Sequence, residues 1–153
     1  MSIYTYLKQD HRNVEDLLEK IEKLDYGQKE LRDQLFNKLK EKIIIHSKAE
    51  EKIFYSTLQR FSLTKEEIKH AKEEHADVEE MLERLADNSL DGTAWTQLFK
   101  HMASALRHHI KEEESQIFED AEVELSHERA QKMELAMRNE KHNIEEKIHL
   151  HLR

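Results

Sequence analysis

Apolar residues recur every three or four positions in five stretches of this chain, separated by short polar breaks. That period is the signature of amphipathic helices rather than strands. The first stretch runs from about Ile3 to Leu24 and aligns Leu7, His11, Val14, Leu18 and Ile21 on one stripe, before Asp25-Tyr26-Gly27 interrupts it. The second, roughly Lys29 to Arg60, turns Leu35, Leu39, Ile43, His46, Glu50 and Ile53 inward. Thr64-x-x-Glu67 reads as a capping box opening a third helix, with Ala71, His75, Val78, Leu82 and Leu85 on its inner side. Asn88-Ser89-Leu90-Asp91-Gly92 then turns the chain into a fourth helix, about Thr93 to Val123, which uses Trp95, Leu98, Met102, Leu106, His109 and Glu113 in the same way. Ser126 is a cap for a last helix whose thin stripe, Met133, Met137, Ile144 and Ile148, is expected to dock on the others or to pair with another subunit.

Short breaks between helices favour antiparallel neighbours. The expected fold is therefore all-α: an up-down-up-down four-helix bundle with an additional C-terminal helix. A length of 153 residues fits a single domain, with the bundle at about 3–122 and the last helix at about 127–152. Two glycines and no proline leave little to break long helices. Apolar residues make up 37% and charged residues 38%, a balance suited to narrow apolar stripes.

Lys and Arg number 25 against 33 Asp and Glu, giving a net charge of −8 with the two signs interspersed. No basic stripe exists to attract nucleic acid or an anionic membrane. There is no run of 18 or more apolar residues, and Met1-Ser2-Ile3-Tyr4 leads directly into charged helical sequence; a soluble, cytoplasmic protein is the expectation. Without cysteine, a metal site must be built from imidazole and carboxylate.

His46-Ser47-Lys48-Ala49-Glu50 and His109-Ile110-Lys111-Glu112-Glu113 each place an imidazole and a carboxylate four residues apart. On a helix that spacing aims both side chains at one point, about 40° apart and roughly one turn along. A second motif is also duplicated. The nine residues from His11 match the nine from His75 at an offset of 64, with five identities, while the His-x-x-x-Glu segments match at an offset of 63. A duplicated helix pair follows, and counting from the two turns puts all four histidines in one layer. One histidine on an apolar stripe is more often packed than ligating. Four at matching heights, with two carboxylates one turn away, point to metal. Mixed nitrogen and oxygen donors suit iron, manganese or zinc better than calcium or magnesium, and two facing glutamates can bridge two ions. His70 and His101 are expected nearer the inner faces, as packed or supporting residues. His108, His127, His142, His149 and His151 are expected at the surface, and Tyr4, Tyr6, Tyr55 and Trp95 in packing.

The order His11, His46-x-x-x-Glu50, His75, His109-x-x-x-Glu113, with Glu-Glu and an aromatic after each pair (Glu50-Glu51-Lys52-Ile53-Phe54-Tyr55 and Glu113-Glu114-Ser115-Gln116-Ile117-Phe118), resembles the hemerythrin HHE cation-binding domain. The resemblance covers about residues 3–122. It implies a non-haem di-iron centre bridged by Glu50 and Glu113, with His11, His46, His75 and His109 as terminal ligands and zinc or manganese as possible substitutes. Oxygen-carrying members use five histidines, two of them four apart on the third helix; here Ala71 and Glu79 occupy those places relative to His75. The proline that often follows the aromatic is replaced by Ser56 and Glu119. Glu15 and Glu79 lie four residues after His11 and His75 and are candidates for additional ligands or supporting hydrogen bonds.

Two functions are consistent with these residues: a di-iron protein that binds or reacts with O2, peroxide or NO, or a non-catalytic oxygen or iron carrier or sensor whose bundle order follows occupancy. Whether there is enzymatic turnover stays open. A metal-free helical interaction protein is a third possibility, with partners meeting the C-terminal helix. No nucleophile motif, phosphate loop or haem attachment sequence is present.

Overall fold

The computed structural model describes residues 1–25 and 27–151. Tyr26, at the first expected turn, and Leu152, at the expected end of the last helix, lie outside the described residues. Helix α1 spans Ile3–Glu22. Helix α2 begins as Lys29–Glu50, runs without a break through a π-helical segment, Glu51–Tyr55, and ends in Ser56–Leu58. Helix α3 is Lys65–Leu85. Helix α4 repeats the composite build of α2, with Gly92–Glu112, a π-helical Glu113–Ile117 and Phe118–Glu124. Helix α5 is His127–His151.

α1 pairs with α2 and α3 with α4; contacts of α1 with α4 and of α2 with α3 close the bundle, and α5 lies along α1 and α2. The helices start where their local chemistry dictates. Ser2 accepts from the Thr5 N–H at the head of α1, and Ser126 accepts from the Arg129 N–H at the head of α5. Gly92, with φ of 60°, lets the chain turn sharply into α4, a conformation costly for any residue with a Cβ. The expected capping box at Thr64 does not form. Thr64 is fully buried and its hydroxyl donates instead to the Leu58 carbonyl, tying down the turn between α2 and α3.

Two apolar slabs fill the bundle. One gathers Leu7, Phe54, Leu58, Ile68, Phe118, Met133 and Met137; the other gathers Val14, Leu18, Phe36, Leu39, Leu82, Trp95, Phe99 and Met102. Each fully buried large side chain is worth about 1.5–3 kcal/mol, so the slabs can offset the cost of burying a polar layer between them. The stripe of α5 is spent on the chain's own bundle, with Met133 and Met137 buried and Ile144 packed beside them.

The π segments shift the inner face. A π turn takes more residues than an α turn, so the inward positions after Glu50 and Glu113 move along to Phe54 and Tyr55 and to Ile117 and Phe118, all buried. Tyr55 and Phe54 are fully buried, whereas Ile53, expected inward from α-helical spacing, is only partly covered. Leu35 and Leu98 likewise sit at the rim, with their neighbours Phe36 and Phe99 in the core. No helix of the described residues is long and apolar enough to cross a membrane.

Candidate metal centre

Between the two slabs lies one polar layer, to which α1, α2, α3 and α4 contribute His11, His46, His75 and His109, all buried. The rings of His11 and His46 are 5.2 Å apart and those of His75 and His109 are 4.6 Å apart. Glu50 and Glu113, both fully buried, stand between the pairs. Their oxygens are 3.2–3.5 Å from the histidine Nε2 atoms: His11 and His109 face Glu113, and His46 and His75 face Glu50. Donor atoms of His11, His46, Glu50 and Glu113 fall within 4.8 Å of one another, as do those of Glu50, His75, His109 and Glu113. The structure thus brings the six expected residues together as two groups sharing two carboxylates.

Each imidazole is aimed from behind. Nδ1 of His11 is paired with Glu114 at 2.7 Å, that of His46 with Asp10 at 2.9 Å, that of His75 with Glu51 at 3.0 Å and that of His109 with Glu74 at 2.9 Å. With carboxylates as acceptors each Nδ1 is a donor, so an imidazole in its neutral form directs an Nε2 lone pair inward. The pattern obeys the repeat: Glu51 and Glu114 follow the central acids, while Asp10 and Glu74 precede His11 and His75. The fully buried Tyr55 donates its hydroxyl to Glu113 Oε2 and stacks on the His75 ring.

The donor set fits metal ions. Both oxygens of Glu50 and Oε1 of Glu113 are buried with no hydrogen-bond partner. Orphaned carboxylate oxygens are costly in a dry interior unless a cation meets them. The titration of the layer points the same way. Burial opposes protonation of His46 and His109, yet Glu50 and Asp10 in one case, and Glu113 and Glu74 in the other, push both up to about 10. His11 and His75 are raised in the same manner, against burial, by Glu113 with Glu114 and by Glu50 with Glu51. Burial alone would raise Glu113, but His109 and His11 hold it well below the ordinary carboxylate range. The field in this layer therefore favours positive charge, which metal ions supply.

A cavity of about 20 Å³ adjoins the four imidazoles, walled mainly by Val14, Ile43, Val78, Leu106 and Ile110. It is about large enough for one water-sized molecule.

Other histidines fall elsewhere. His70 and His101, expected nearer the inner faces, are exposed, because α3 and α4 each bury only one stripe and theirs is already occupied. His108, His127, His142 and His149 are exposed as expected; the side chain of His151 lies outside the described residues. Glu15 does not join the central groups; Arg107 holds it at 2.8 Å. Glu79 is half-buried at a surface groove with Lys48, Glu51 and Lys52, its carboxyl raised by burial and by Glu51. Sequence reasoning overlooked Asp10, Glu51, Glu74 and Glu114 as supports; their recurrence beside a histidine or central acid in both halves was the available signal.

Comparison with curated proteins and with solved structures returned no match. The family model for the hemerythrin HHE cation binding domain matches residues 2–121, the four-helix bundle up to the last three residues of α4, with every residue of the polar layer inside it. The chain belongs to the hemerythrin HHE cation-binding domain family.

Proposed function

We propose that this protein is a non-haem di-iron protein that binds or reacts with a small ligand such as O2, peroxide or NO. The carrying observation is the pair of four-residue groups that share Glu50 and Glu113. In this reading His11 and His46 would hold one ion and His75 and His109 the other, with Glu50 and Glu113 shared between the two; the whole chain acts as one domain. Bound iron supplies redox-active Lewis-acid chemistry, and zinc or manganese suits the same donors. The protein contributes orientation and exclusion. Asp10, Glu51, Glu74 and Glu114 fix the imidazoles, and the small apolar cavity beside them, about the size of one water molecule, limits what reaches them to small molecules. At the position of the missing fifth histidine, Ala71 is packed in an apolar slab, so four residues of the chain would hold each ion and no fifth histidine would compete with an exogenous ligand. That economy favours reaction or sensing over reversible carriage.

A sensing role has its own support. His46 is linked through Asp10 to Lys141 on α5, which gives the centre a route to the last helix. Anaerobic loading with ferrous iron, followed by metal analysis and optical spectra before and after exposure to O2, peroxide and NO, tests the proposal. Two irons per chain and new charge-transfer absorption are expected. Absence of iron, or spectra indifferent to all three ligands, overturns it; turnover against a stable one-to-one adduct separates reaction from sensing or carriage.

A further inference from the structure

A second histidine and carboxylate cluster lies on the α3–α4 face that α5 leaves uncovered. His70 and Glu74 are four residues apart on α3, and His108 and Glu112 four apart on α4. His70 Nε2 is 3.5 Å from Glu74 Oε2 and 3.9 Å from Glu112 Oε2. His108 Nε2 is 3.1 Å from Glu112 Oε1 and 4.0 Å from Glu74 Oε2. Donor atoms of His70, Glu74 and Glu112 fall within 4.8 Å of one another. The two imidazoles are 61% and 62% exposed, so an ion can reach them from solvent, while Glu74 is only 17% exposed and already fixed. Its Oε1 accepts from His109 Nδ1, leaving Oε2 for the surface cluster.

The internal repeat supplies an independent reason for a cation here. Asp10 and Glu74 are equivalent, as are His46 and His109, and each carboxylate accepts from the Nδ1 of its histidine. The outer side of Asp10 is met by the Lys141 ammonium, 2.7 Å from both oxygens and delivered by α5. Among the described residues no ammonium meets Glu74; His70, His108 and Glu112 surround it instead. Where one half of the repeat uses its own cation, the other presents ligands for one. Two carboxylates supply the charge that a divalent ion balances, and two imidazoles select a first-row transition metal or zinc over calcium and magnesium.

We propose that His70, Glu74, His108 and Glu112 form a surface site for one divalent cation of the zinc or ferrous class, joined to the buried centre through Glu74. The surface site does not require the buried ions; only the link through Glu74 rests on that reading. Because Glu74 offers one oxygen to each side, a surface ion draws negative charge from the carboxylate that orients His109.

Metal-free protein is titrated with Co2+, whose visible bands report nitrogen and oxygen coordination, and bound metal is counted by equilibrium dialysis with elemental analysis. Three ions per chain are expected in the parent and two in a His70→Ala/His108→Ala variant, whose exposed substitutions suit a helix and whose helicity is checked by circular dichroism. A parent that binds only two ions, both kept by the variant, overturns the surface site and leaves the buried pair standing. Three ions in both proteins also overturns it. One ion in the parent, lost in the variant, supports the surface site and overturns the buried pair; no binding overturns both.

Discussion

Asp10→Asn isolates one half of the proposed centre. Asp10 Oδ2 accepts a hydrogen bond from His46 Nδ1 at 2.9 Å, and Lys141 Nζ lies 2.7 Å from both carboxylate oxygens. Its side chain is 13% exposed, so water has little room to replace what is lost. Burial would raise this carboxyl, but His46 and Lys141 outweigh it and hold the group down at about 2, keeping it ionised at any working pH. The amide is isosteric but uncharged, and its NH2 cannot accept from either neighbour. Losing the carboxylate behind a metal-bound histidine typically costs about 10- to 100-fold in affinity, or about 1.4–2.8 kcal/mol. Asp10 supports only His46, while His75 and His109 rest on Glu51 and Glu74. The loss therefore falls on the ion between His11 and His46. Anaerobic titration of metal-free protein with ferrous iron against a chromophoric chelator resolves the two binding steps. One step is expected to weaken by about 10- to 100-fold and the other to change little, with the exposed Asp16→Asn on the same helix as the control. An unchanged isotherm, or equal weakening of both steps, refutes the assignment.

Tyr55→Phe removes the hydroxyl donated to Glu113 while keeping a ring that fits, since Phe118 fills the equivalent place in the other half. The metal-free protein is expected to lose about 1–3 kcal/mol, a fall in Tm of about 2–12 °C, and the metal-loaded protein less, because an ion then meets the same carboxylate; equal shifts in both forms count against metal at Glu113. Burial and the neighbouring Asp120 raise the Glu67 carboxyl to about 7. A folded-state value above the unfolded one means its contribution is fully present below about pH 4.5 and lost as pH rises through 7. Glu67→Gln should therefore raise Tm relative to the parent at pH 8 and give a shrinking advantage toward pH 5; a difference independent of pH is the contrary result.

Much of the centre was legible because helical periodicity is a local property. His11 and Val14, His46 and Glu50, and His109 and Glu113 share faces by spacing alone, and the duplication aligned their heights. The errors arose where local rules met tertiary demands. Thr64 has the residues of a capping box but is buried, so its hydroxyl serves the preceding turn. Ile53 follows α-helical arithmetic that the π segment of α2 breaks. His70 and His101 lie near the apolar stripes in projection, five residues before His75 and eight before His109, yet both side chains reach solvent.

The amino-acid order by itself determined five amphipathic helices, their antiparallel pairing and the six residues that face inward together, because each follows from spacing along one helix and the length of the turns. Only the tertiary structure decided which carboxylate stands behind which imidazole, that Tyr55 reaches Glu113, and that α5 covers one half of the repeat and leaves the other open. Those relations join residues on different helices. Their distances depend on how the helices are rotated and packed against one another, which no periodicity along a single helix encodes.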